Sequence, residues 1–126
     1  MALTASFTSS VVFGGSSLSG VAAISDGIIT QINNDIPANN TTQTLALAFD
    51  KTKLRGIFVV SNIAANVVFG GTSNPNLQMA AGVPYVWHDA SNITNPFANN
   101  CTNVRIDNNN ATTNAVVQMC VVIDPT

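Results

Sequence analysis

The sequence contains no glutamate and few charges of any kind. Charged residues are 8% of its 126 residues, against about 25% in an average soluble protein. Glutamate, lysine and arginine write the solvated faces of helices, so their scarcity leaves little with which to build one. Only four basic residues are present, Lys51, Lys53, Arg55 and Arg105. A typical nucleic-acid interface neutralises about six to ten phosphates, so nucleic acid is excluded as a partner. No stretch approaches the ~20 apolar residues of a membrane-spanning helix, and no membrane partner is expected. Residues 1–7 hold neither a basic residue nor a continuous apolar run, which is not the pattern of a secretory signal. Synthesis in a cytoplasm follows as the expectation, with Cys101 and Cys120 reduced.

Catalytic side chains are equally sparse. The single histidine, His88, heads a polar stretch, where a solvated strand-end role is expected. A nucleophilic triad or an acid–base pair would need His88 or two of six scattered aspartates, most of them in turn contexts such as Asp26-Gly27, Asp50 and Asp107-Asn108. His88, Cys101 and Cys120 lack the short spacing of a zinc site. Gly14-Gly15 and Gly70-Gly71 are followed by no helix that would cradle a phosphate. The residues point away from an enzyme, and no metal or cofactor is expected. Cys101 and Cys120 read either as two buried thiols or as residues facing each other on adjacent strands.

What fills the chain instead is Asn, Thr, Ser, Val and Ala. Thr and Val favour strands, and Asn and Gly favour turns. Phe7 to Phe13 reads as a strand or extended arm broken at residues 14–17, and residues 28–32 as a second strand ending near Pro37. A loop is expected over residues 38–42. Leu45, Leu47 and Phe49 alternate with smaller residues, the pattern of a half-buried strand. Asp50 is placed to cap a turn before Ile57-Phe58-Val59-Val60-Ser61, the most continuous apolar run and the expected central strand. Further strands are expected over 67–69, 77–79, 83–87, around Val104 and Ile106, and over 115–123. A long Asn-rich loop spans 88–100, and a turn covers 107–110. Eight or nine short strands with frequent turns predict an all-β fold, a single antiparallel β-sandwich or jelly-roll-like domain over residues 21–126, preceded by the strand or arm of residues 1–20.

Ile36-Pro37, Leu45-Ala46-Leu47-Ala48-Phe49-Asp50, Leu54-Arg55-Gly56-Ile57-Phe58-Val59-Val60-Ser61, Leu77 and Ala81-Gly82-Val83-Pro84-Tyr85-Val86-Trp87 together resemble the small β-sandwich virion proteins of tailed bacteriophages, in particular capsid cement (decoration) proteins. The resemblance implies a protein that docks on the outer face of an assembled head and strengthens it. The implied partner is the major capsid protein, the implied assembly a homo-oligomer, most often a trimer, and no catalytic residue comes with the family. Another virion component, such as a tail or receptor-binding subunit, is the first alternative. A carbohydrate-binding module using Trp87, Tyr85 and Phe97 as a stacking platform is the second. With so few charges, docking must use apolar contacts and amide hydrogen bonds. The expected interface anchors are Leu3, Phe7 and Phe13 in the amino-terminal arm and Phe97 at the tip of the Asn-rich loop. The arm either leaves its own domain to join a neighbour's sheet edge or forms an ordinary edge strand.

Overall fold

A computed structural model describes the backbone of residues 3–13 and 16–125, with the side chains of residues 5–8 and 27–125. Its nine strands are β1 (Leu3–Phe13), β2 (Ser16–Ile36), β3 (Thr41–Leu45), β4 (Leu54–Ser61), β5 (Ala65–Phe69), β6 (Asn76–Met79), β7 (Tyr85–His88), β8 (Val104–Asn108) and β9 (Ala115–Ile123). All pairs are antiparallel. They form a five-stranded sheet in the order β1-β2-β9-β4-β7 and a four-stranded sheet in the order β3-β8-β5-β6. The protein is therefore an all-β sandwich, as its composition and turn spacing predict.

The core lies between the sheets and follows the two-residue period of the strands. β4 contributes Ile57 and Val59, and β9 contributes Val117, Met119 and Val121. Val67 and Phe69 of β5 and Val104 and Ile106 of β8 meet them from the other sheet. Burying each such side chain contributes about 1.5–3 kcal/mol before conformational entropy is counted. Phe97 stands edge-on to both Phe49 and Phe69, with ring centroids 5.1 Å apart in each pair.

Several expected elements shift. The loop expected over 38–42 is shorter, because β3 begins at Thr41. β3 then ends at Leu45, and Phe49 joins the sheet only through a single bridge to Cys101. Leu47 and Phe49 are nonetheless buried while Ala46 and Ala48 are exposed, so the alternation reports which side chains face the core even without a ladder. The central strand of the larger sheet is β9, with β4 beside it. β7 starts at Tyr85, since Pro84 has no N–H to give a ladder, and Val83 is left exposed. Two strands are not short: β1 has 11 residues and β2 has 21. β2 pairs with β1 up to Gly27 and with β9 from Ile28 onward. A Cβ on Gly27 would stand 2.5 Å from Val122 Cγ1, so only glycine lets β2 pass this close to the sheet.

Asp50 caps a single 3-10 turn, Lys51–Lys53, as expected. Its carboxylate accepts hydrogen bonds from the Thr52 hydroxyl and backbone N–H at 2.7 and 2.9 Å, which lower its pKa below the ordinary carboxylate value. Gly71 closes the β5–β6 turn at φ 115°, a conformation that side-chain-bearing residues rarely adopt.

Candidate interaction surfaces

The four expected anchors do not form one exposed patch. Leu3 and Phe13 are the end residues of β1, and their side chains lie outside the described residues. Phe97 is 3% exposed and is a core ring, not a loop tip. The reason is local. Asn95 Oδ1 accepts from the Phe97 N–H at 2.9 Å, while Asn95 Nδ2 donates to the Lys51 carbonyl at 2.9 Å. Trp87 Nε1 holds the same loop by donating to the Ile93 carbonyl at 2.9 Å. The asparagines that read as a solvated loop thus turn the chain inward and deliver Phe97 between the sheets. Trp87 is buried with it and Tyr85 is half-buried, so these three rings present no exposed platform for stacking a sugar.

Phe7 is also buried, on the opposite side of the larger sheet from the main core. Strand alternation turns Phe58, Cys120, Val122 and Ile29 to this outer face, where they pack with Ala5 and Phe7. The expected arm is, over its described residues, an edge strand of its own sandwich. Its cover explains the unbroken apolar run of β4: Ile57 and Val59 face the inner core while Phe58 faces β1. Beside this cluster runs a groove of about 670 Å³ lined by Phe7, Thr8, Phe58, Pro84, Val86 and Cys120.

His88 is half-buried rather than freely solvated, its ring 5.3 Å from that of Phe7 at an interplanar angle of 34°. Its Nδ1 is buried with no hydrogen-bond partner among the described residues. Cys101 and Cys120 are free and do not face each other. Cys101 is in the main core next to Phe49, while Cys120 looks outward from β9. Burial raises the pKa of both thiols. Among the described residues, no three of the histidine, cysteines and aspartates converge on one point.

The connecting loops at the two ends of the sandwich differ in charge. One end carries the loops 46–53, 70–75 and 89–103 and the segment after β9. Asp50, Lys51, Lys53, Asp89 and Asp124 lie there, with Arg55 at the start of β4. Arg55 pairs with Asp89 at 3.2 Å, and Asp124 donates its backbone N–H to the Lys53 carbonyl at 2.8 Å. The opposite end carries the connections 37–40, 62–64, 80–84 and 109–114, which hold no charged residue themselves, although Asp35 of β2 and Asp107 of β8 lie two residues before the first and last of them.

Amides knit the loops at that end together. Asn108 is fully buried, and its Nδ2 donates to the carbonyls of Ile36, Pro37 and Thr113 at 3.0–3.1 Å. Asn110 Oδ1 accepts from the backbone N–H groups of Thr112 and Thr113. Asn62 Oδ1 accepts from Val116 at 2.7 Å, and Asn114 Oδ1 accepts from Ala38 at 3.1 Å. The expected turn at 107–110 therefore begins later, because β8 runs through Asn108. The turn over 107–110 was legible in the sequence, but not the burial of Asn108 within it. No family model, curated protein sequence or solved structure matches this chain.

Proposed function

We propose that the chain is a virion structural protein, a capsid cement subunit that docks on the outer face of a tailed-phage head and stabilises the shell. The observation that carries this reading is the amide-knit end of the sandwich, whose connecting loops carry no charge. Burying a charge against a partner is costly, whereas amides and hydroxyls can be re-paired across an interface. The connections at this end are tied to one another by the hydrogen bonds of Asn62, Asn108, Asn110 and Asn114, so little ordering remains to oppose docking. The residues from Ile36 to Trp87 that resemble cement proteins include β4, the strand on which both apolar clusters meet. The major capsid protein is the partner on this reading, and the subunit acts as a homo-oligomer, a trimer by the resemblance.

The test is co-sedimentation of the purified chain with expanded heads and, separately, with tails. Head binding should persist to about 1 M salt, where the screening length falls to about 3 Å, because few ion pairs are involved. Ala81→Lys and Ala111→Asp place a charge on exposed positions of these uncharged loops and should weaken binding without unfolding the chain. Binding to tails but not heads would replace the cement reading with a tail or receptor-binding subunit. Release from heads by moderate salt would remove the observation on which the reading stands.

A further inference from the structure

We propose that two copies of this chain pair through β7, antiparallel about a two-fold axis at Val86, and so join their larger sheets into one. The pairing is independent of the virion reading. β7 is the last strand of the larger sheet, with β4 on one side, and no described strand pairs with its other side. Ile28, Val83, Val86 and Ile93 are the large hydrophobic side chains that stay exposed among the described residues, and two of them, Val83 and Val86, lie along this edge. No Asp, Glu, Lys or Arg occurs from Gly56 to His88. A charged edge would repel its own copy, and this one carries nothing to do so.

The main-chain groups of β7 select the partner. Asp89 donates its N–H to the Arg55 carbonyl, one step beyond the Gly56–His88 pair, and bonding direction alternates along an antiparallel strand. Tyr85 and Trp87 therefore turn their main-chain groups toward β4, while Pro84, Val86 and His88 turn theirs outward. Two of the outward positions are already missing or filled. Pro84 has no N–H, and the His88 carbonyl accepts from the Ser91 N–H and hydroxyl at 3.1 and 2.7 Å. Each copy is left with the Pro84 carbonyl, both groups of Val86 and the His88 N–H.

Setting Val86 opposite its own copy uses every one of these groups. The two Val86 residues exchange both of their bonds, and each His88 N–H meets the Pro84 carbonyl of the second copy. The donor that Pro84 lacks then falls opposite the carbonyl that Ser91 has filled. Moving the register by two residues in either direction leaves a Val86 group facing the missing donor or the filled carbonyl. The short strand and its proline, which guard the edge against longer or shifted partners, therefore leave this register open. The side chains agree with it. Val86 meets Val86 on the outer face, where its β4 neighbour Phe58 also lies, and Tyr85 meets Trp87 on the inner face. β-Branched and aromatic pairs of this kind stabilise neighbouring strands.

NMR-detected hydrogen exchange on the full chain is the test that needs no variant. The Val86 and His88 amides should be protected at high concentration and lose that protection on dilution, while the Trp87 amide, turned to β4, keeps its own throughout. Val86 and His88 amides that stay unprotected up to about 1 mM chain reject the pairing. Sedimentation velocity gives a second reading, in which the wild-type chain should reach twice its 13.1 kDa. Val86→Lys and Val86→Glu each set like charges face to face on the axis and should weaken the dimer about tenfold or more. An equimolar mixture of the two should restore it, and a mixture that fails to recover overturns the proposal. Val86→Pro removes the outward donor without touching a bond to β4, and should abolish the dimer in a chain that stays folded. Gln78→Pro does the same to β6, whose Gln78 N–H points outward by the same alternation, and should leave the dimer intact. A dimer that Gln78→Pro dissolves while the Val86 variants spare it belongs to β6, and that result also overturns the proposal.

Discussion

Two apolar regions flank the larger sheet, and they are built by different rules. The inner core has walls on both sides: among the described residues, nineteen buried ones drawn from both sheets and the loops between them. Among the described residues the outer cluster has two buried ones, Phe7 and Val122, with Ala5, Ile29, Phe58 and Cys120 partly buried around them. The inner core holds the fold together, because each of its side chains is enclosed by strands that nothing but unfolding can separate. The outer cluster depends on one hairpin lying across the sheet. A region roofed by a single edge strand can open locally while the rest stays folded, and its stability is correspondingly lower.

That contrast is open to direct challenge. The largest effect is expected from Phe97→Ala, which empties the space between Phe49 and Phe69 and should cost about 3–5 kcal/mol in denaturant unfolding. A loss below about 1 kcal/mol would mean that the loop contributes no core, contrary to the burial of Phe97. Next comes Asn108→Ala. It leaves the carbonyls of Ile36, Pro37 and Thr113 without their buried donor and should cost about 2–3 kcal/mol. Asn108→Leu should fare no better, since filling the volume does not supply the donor.

Phe7→Ala tests the other side of the sheet. It should cost only about 1–2 kcal/mol globally, with amide protection falling in β1 while β4 and β9 keep theirs. A loss equal to that of Phe97→Ala, with uniform loss of protection, would merge the two regions into one cooperative unit.

The smallest effect is on the cysteines, one in each region. Burial raises both thiol pKa values above the ordinary 9.0, so the folded chain holds these protons more tightly than the unfolded chain. Their contribution to stability is therefore complete below pH 9 and falls as pH rises through the interval between the unfolded and folded values. Unfolding midpoints measured upward from neutral pH should be flat and then decline, and the decline should lessen in a Cys101→Ala, Cys120→Ala double variant. Under native conditions a thiol-alkylating reagent should reach Cys120 before Cys101, which is 2% exposed. The reverse order would show that the inner core opens more readily than the outer cluster.

Much of the inner core was legible because strand alternation needs no knowledge of partners. Leu45, Leu47 and Phe49 face inward although only the first belongs to a ladder, and residues 115–123 form β9 as predicted. Phe97 was misplaced because its direction is set by Asn95, which bonds to Lys51, 44 positions away. The fate of Asn108 was hidden for the same reason, since its acceptors Ile36 and Pro37 lie more than 70 positions away.

By itself, then, the sequence determined the all-β class, the strand segments of the core, the exclusion of a helical surface and the Asp50 cap. Each depends on local propensity, on a two-residue period, or on composition. The tertiary structure alone decided that β1 roofs the outer face through Phe7, that Phe97 and Asn108 are interior, and that Asp50, Lys51, Lys53, Arg55, Asp89 and Asp124 gather at one end of the sandwich. Those outcomes depend on which distant segments become neighbours once the sheets close, and a side chain's burial is a property of those neighbours rather than of the residue.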